Sequence, residues 1–127
     1  FLGDNVEGKD VIVVDDMISS GDSMIDVCRQ LKGLKAKRIF VFSTFGLFTS
    51  GLERFDEAYK DGLFNKIFTT NLIYTPDELI KREWHGMVDM SKYCAFIIDT
   101  LNHDESVSVF LDPVQKINDY MKKYNLK

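Results

Sequence analysis

Asp15 and Asp16 stand side by side at the end of the apolar run "VIVVD", and the five residues at 19–23, "SSGDS", are small, mostly hydroxylated and centred on a glycine. Two acids beside a buried aliphatic segment cost free energy unless something partners them. In an open α/β sheet, ligands bind beyond the carboxyl ends of the strands. A loop entering a helix N-terminus there presents unpaired N–H groups and the positive end of the helix dipole to an anion. Ser19, Ser20 and Ser23 would add hydroxyl donors, and Gly21 would let the main chain curl close to the anion. The stretch lacks the GxxxxGK[ST] pattern of a Walker phosphate loop and is no dinucleotide fingerprint. It therefore suits a phosphate monoester held by main-chain and hydroxyl donors, while the adjacent acceptors suit the hydroxyls of a sugar. The chemistry expected is recognition of a sugar phosphate.

Placing those groups takes a strand, a loop and a helix, and the flanking pattern supplies them. The continuous apolar run at 11–15 predicts a central parallel strand covered on both faces. Met24, Ile25, Cys28 and Leu31 recur at helical spacing over 22–34, with Gly33 placed to help end the helix. A strand at 38–44, an amphipathic helix at about 51–60 carrying Leu52, Phe55 and Tyr59, and a strand at 65–71 continue the alternation of a parallel α/β sheet. Thr75, Pro76 and Glu78 spell a capping box with proline at the first helical position. Residues 87–91 read as a further strand, and "YCAFIIDTLNHD" as a helix with Tyr93, Ile97 and Leu101 on one face. The alternation in "ESVSVF" (105–110) predicts a short strand, and Asp112-Pro113 a cap for a final helix with Val114, Ile117, Met121 and Tyr124 on one stripe.

A chain of 127 residues has the length of one domain. Its net charge of −4 leaves no basic footprint for nucleic acid, and no apolar stretch approaches the roughly 20 residues of a membrane span. Cys28 and Cys94 have no metal-ligand spacing, so reduced core thiols in a cytoplasmic setting are expected. The start, "FLGDNVEGKD", has neither a Met nor a signal-peptide pattern and is read as part of something longer. His85 and His103 lack partners at ligand or triad spacing and are read as surface or satisfied core side chains, with no metal site. Trp84 is expected to plug the core.

The segment "VIVVDDMISSGDSM" resembles the phosphoribosyl-binding signature of type I phosphoribosyltransferase folds, and more closely its form in ribose-phosphate pyrophosphokinases. "GKDVIVVDDMI", "AKRIFVFSTFGLFTSG" and "HDESVSVF" are similar to that family's carboxyl-terminal half in the same order. The likeness is good over residues 3–54, fair over 102–111 and poor over 72–92. It implies a three-layer α/β parallel-sheet domain, N-terminally truncated, forming a single carboxyl-terminal unit over 1–127. The implied reaction moves pyrophosphate from ATP to ribose 5-phosphate with Mg²⁺, giving phosphoribosyl pyrophosphate and AMP, in a cytoplasmic homo-oligomer. On that model Asp15 and Asp16 hold the ribose 2- and 3-hydroxyls, and Ser19, Ser20, Gly21, Asp22 and Ser23 wrap the 5-phosphate. Ser106 and Ser108 would bind an allosteric phosphate or nucleotide.

The resemblance places the catalytic and ATP-binding residues, and the protein ligands of Mg²⁺, in the half that precedes "GKDVIVVDD". The isolated fragment is then expected to be inactive as a synthetase, with no catalytic residue of its own. The family loop usually reads Asp, Thr, small, Gly, Thr, whereas this chain has Ser19 at the first position and an acid, Asp22, after the glycine. A carboxylate about 4 Å from a phosphate oxygen is repelled by about 4 kcal/mol at an effective dielectric near 20. Asp22 must therefore point away from the phosphate, or cap the helix. A nucleobase phosphoribosyltransferase fragment and a non-catalytic regulatory homologue of the synthetase are the alternatives. A signalling receiver domain, which also pairs acids at a strand end, needs a later strand ending in Asp, and "FVFST" and "KIFTTN" do not.

Overall fold

The computed structural model describes residues 5–108 and 113–125, without the side chains of residues 115 and 116. These residues fall into two compact units, divided after Met90.

The first unit alternates strand and helix as the apolar pattern predicts. β1 (Asp10–Ile18), β2 (Arg38–Gly46), β3 (Lys66–Thr70) and β4 (His85–Val88) form one sheet in chain order, with every pair parallel. Val13 lies opposite Val41, Val41 opposite Ile67, and Ile67 opposite His85. The crossover helix α1 (Asp22–Gly33) returns β1 to β2, and α2 (Glu53–Lys60) returns β2 to β3. Because strand order follows chain order, right-handed crossovers place both helices on the same face. There Val11, Val13, Ile39, Val41 and Ile67 pack against Met24, Cys28 and Leu31 of α1 and Phe55 and Ala58 of α2.

The structure corrects the expectation of a central strand covered on both faces. β1 is an edge strand, and Ile12 and Val14, which alternate with the packed Val11 and Val13, are 65% and 77% exposed. The reason is connectivity: the α1 and α2 crossovers use one face. β1 also runs past the acids, with Met17 and Ile18 following them inside the strand.

Helix ends differ from the sequence reading in a consistent way. α1 ends in a Schellman motif: Lys35 N–H donates to the Lys32 carbonyl at 2.9 Å, and Ala36 N–H to the Leu31 carbonyl at 3.0 Å. The left-handed residue of that motif is Lys35 (φ 62°), whereas Gly33 lies within the helix. A Cβ in this region costs about 1–2 kcal/mol, and the exposed Lys35–Glu7 pair (2.9 Å) returns about 0–1 kcal/mol. Lys35→Gly is therefore expected to raise the urea unfolding free energy by about 0.5 kcal/mol.

The capping box at Thr75 does not form. The short helix α3 (Asp77–Ile80) is capped by Pro76 with no side-chain hydrogen bond, and Thr75 Oγ1 instead donates to the Ile73 carbonyl at 3.4 Å. Its Leu79 is buried in the same core as Trp84, which is 2% exposed and meets the rings of Phe48, Phe55 and Phe64. Trp84 Nε1–H donates to Asp56 Oδ1 at 2.7 Å, tying this segment to α2. Arg82 Nε approaches the same oxygen at 3.0 Å as an ion pair but is misaligned for a hydrogen bond. Trp84 is thus the core plug expected of it.

The second unit contains α4 (Ser91–Asn102) and α5 (Val114–Lys123). The helix read from "YCAFIIDTLNHD" is present. The strand expected over 105–110 is not found in its described part: residues 105–107 are irregular and Ser108 begins a helical turn. Ser106 Oγ–H donates to Ser108 Oγ at 2.9 Å and also receives the Ser108 N–H at 3.3 Å, a local bond that competes with strand pairing. Val109, Phe110 and Asp112 lie outside the described residues, and α5 is preceded by Pro113 without a side-chain cap.

Candidate functional site

Parallel pairing of β1 with β2 brings the acid pair and the loop after it beside the loop that follows β2. Leu47 N–H donates to the Ile18 carbonyl at 2.9 Å and Thr49 N–H to the Ser19 carbonyl at 3.0 Å. Ser19 Oγ and Thr49 Oγ1 lie 3.5 Å apart. Residues 47–49 therefore fix the entry to the 19–23 loop from its side.

Gly21 caps α1 with φ 88° and ψ −2°, a left-handed conformation that favours glycine. It is also pressed against α2: a Cβ at this position would lie 2.8 and 2.9 Å from Phe55 Cε1 and Cε2, and nearer still to Cζ. Backbone conformation and close approach both require this glycine, and the buried ring of Phe55 supports the loop from beneath.

Both acids of the pair are exposed, although they lie inside β1. Asp15 accepts the Asp16 N–H at 2.8 Å, which occupies one of its lone pairs and fixes its side chain to the main chain. Asp15 lines a shallow cleft of about 200 Å³ together with Val14, Phe42, Thr44, Phe68 and Thr70.

Asp22 has a different outlook. It is the first residue of α1 and does not cap it. Its carboxylate accepts Ser20 Oγ–H at 2.8 Å and is ion-paired with Arg54, whose Nη1 also reaches the Ser20 carbonyl at 3.5 Å. Asp22 and Arg54 line a groove of about 220 Å³ between α1 and α2 with Ile25, Arg29 and Glu57, and that groove shares no residue with the cleft holding Asp15. Arg54 was missed in the sequence. A cation in the first turn of a helix opposes the helix dipole, so its position there was the available signal that it serves a partner elsewhere.

The remaining candidates sort plainly. Ser19, Ser20 and Ser23 sit on the loop and first turn as expected, with Ser19 and Ser23 exposed. Ser106 and Ser108 are exposed and bonded to each other. A cleft of about 350 Å³ bounded by Leu47, Phe48, Tyr74, Glu78 and Arg82 includes none of these residues.

Cys28 and Cys94 are both free, and burial pushes the Cys28 thiol up to about 11, an unreactive state. His103, just past the end of α4, has Nδ1 2.9 Å from the Asp99 carbonyl oxygen, and His85 is a satisfied core histidine. His85 Nε2 lies 2.9 Å from Thr69 Oγ1. Burial, with the nearby Lys66 charge, holds His85 below its usual range. A depressed histidine binds fewer protons folded than unfolded, so stability is retained above the unfolded value of about 6.5 and lost as pH falls through and below it. Urea midpoints are expected to fall between pH 7.5 and 5.5, and to fall less in His85→Gln.

With this geometry established, comparison with known proteins is informative. Residues 1–112 match the family model described as the phosphoribosyl synthetase-associated domain. The ribose-phosphate pyrophosphokinase of Vibrio parahaemolyticus is 27% identical over 112 residues, which is 88% of this chain and 34% of the relative. That of Pyrococcus abyssi is 43% identical over 72 residues, 56% of this chain and 24% of the relative. Among solved structures, phosphoribosylpyrophosphate synthetase from Mycobacterium smegmatis superposes with a TM-score of 0.69 at 19% identity, covering 80% of this chain and 33% of that one. The chain thus spans about a third of the length of the relatives it matches. The structural likeness shows the α/β fold.

Proposed function

The chain belongs to the phosphoribosyl synthetase-associated domain family, and we propose that it supplies the ribose-5-phosphate site of a ribose-phosphate pyrophosphokinase, as one carboxyl-terminal domain of that enzyme. The observation that carries this reading is the conjunction, at one strand end, of the exposed Asp15-Asp16 pair with a glycine-capped helix start. The carboxylates accept the ribose 2- and 3-hydroxyls, and the first-turn N–H groups of α1 with the hydroxyls of Ser19 and Ser23, and that of Ser20 once it turns from Asp22, take the 5-phosphate. Asp22 contributes its main chain to that loop. Held at both ends, the sugar presents its anomeric oxygen for in-line attack on the β-phosphorus of ATP. The new O1–Pβ bond forms as O1 gives up its proton to a base outside this chain or to solvent and the bond from Pβ to the α-phosphate oxygen breaks, and AMP leaves with that electron pair. This chain's part in the reaction is positioning.

Among the described residues no three His, Cys, Asp or Glu side chains converge as a metal site. We infer that Mg²⁺ is held mainly by the substrates' phosphates, with protein ligands from elsewhere in the enzyme. Ser106 and Ser108 are the proposed effector contacts, a homo-oligomer the proposed assembly and the cytoplasm the proposed location. No helix among the described residues is long and apolar enough to cross a membrane.

The test is turnover. The full-length polypeptide carrying this segment, given ATP, Mg²⁺ and ribose 5-phosphate, is expected to form AMP and phosphoribosyl pyrophosphate, and the 127 residues alone are expected to form neither. Base-dependent release of pyrophosphate would instead assign a nucleobase phosphoribosyltransferase. Binding to a synthetase without turnover would assign a regulatory homologue.

A further inference from the structure

We propose that Arg54 is a positioning residue of the phosphate loop, holding the Asp22 carboxylate in the α1–α2 groove so that the loop accepts a dianion. This rests on the ribose-5-phosphate reading above and deepens it. The loop carries an acid where a phosphate must enter, and an uncompensated carboxylate there would repel the ligand. Asp22 is not uncompensated. One carboxylate oxygen pairs with Arg54 and the other accepts Ser20 Oγ–H, so both are engaged by donors of the protein itself. Arg54 also spans to the Ser20 carbonyl, which couples the guanidinium to the main chain as well as to the acid.

The scaffold gives Arg54 a fixed origin. It sits one residue before Phe55, whose ring is fully buried beneath Gly21, so the residue that supports the loop sterically and the residue that neutralises it electrostatically are neighbours on one helical turn. Its first-turn location opposes the α2 dipole and is offset by the bonds it makes across to the loop. The two acids of the same turn, Glu53 and Asp56, are not its partners: Asp56 is engaged by Trp84 and Arg82.

Titration calorimetry of the full chain with ribose 5-phosphate tests the inference through a double-mutant cycle. Arg54→Gln is expected to weaken binding at least tenfold, and the deficit is expected to shrink as ionic strength rises from 20 to 200 mM. Arg54→Gln combined with Asp22→Asn is expected to return affinity to within about threefold of the parent, because the charge that needed holding is gone. A loop merely destabilised by loss of Arg54 would not be rescued by Asp22→Asn, and that outcome overturns the inference. Unaltered affinity in Arg54→Gln overturns it equally. Failure of the parent chain to bind at all would instead strike the ribose-5-phosphate reading, so the two failures are distinguishable.

Discussion

Trp84→Ala is expected to lower the unfolding free energy by about 3–5 kcal/mol, the range for truncating a large aromatic in a core. Trp84 is 2% exposed and contacts Phe48, Phe55 and Phe64, so its removal opens a void among three other rings that are themselves fixed. The indole N–H is also the hydrogen-bond partner of Asp56, and its loss leaves that carboxylate with only the misaligned Arg82. Since domains of this size are stable by about 5–15 kcal/mol, the variant should be partly unfolded in mild urea. Trp84 is the sole tryptophan, so far-ultraviolet circular dichroism is the measurement to use. Trp84→Phe keeps most of the ring volume and should cost roughly half as much. A loss below about 1 kcal/mol in the alanine variant would show that the segment around β4 is not part of the cooperative core.

Gly21→Ala is expected to cost about 2–5 kcal/mol and to abolish phosphate binding. Left-handed backbone strain accounts for about 1–2 kcal/mol of that, and forcing a methyl against the buried Phe55 ring for about 1–3 kcal/mol. The two contributions are separable. In Phe55→Leu the ring is gone, so adding Gly21→Ala should then cost only the backbone part, and the difference between the two backgrounds reports the steric coupling. Equal costs in both backgrounds would contradict the packing of α2 against the loop.

Much of this architecture was legible in the amino-acid order because the dominant signal was local. Met24, Ile25, Cys28 and Leu31 at helical spacing, and apolar runs of strand length between them, are set by which face each element buries. The same signal misled where it said nothing about neighbours. "VIVVD" predicts cover on both faces, but whether a strand is central depends on the other strands' order, and here β1 lies at the edge. Thr75 and Gly33 carried correct cap chemistry at the wrong positions, since the chain instead placed Pro76 at the cap and Lys35 in the left-handed turn.

At the site, the residues along β1 and its loop could be read because the motif is contiguous. Arg54, Thr49 and Phe55 could not, because they reach the loop from 30 to 34 positions away in the chain. Parallel pairing of β1 with β2 brings them there, and no local pattern encodes that pairing. The ion-pair partner of Asp22 is likewise distant in sequence and adjacent in space.

The central claim is that the acid pair and the glycine-capped loop together hold ribose 5-phosphate. Titration calorimetry of the chain with ribose 5-phosphate, with and without Asp16→Ala, tests it most directly. Saturable binding that Asp16→Ala weakens at least tenfold, with free ribose and inorganic phosphate each binding far more weakly than the intact sugar phosphate, is the predicted result. No binding, or binding indifferent to Asp16→Ala, would contradict it.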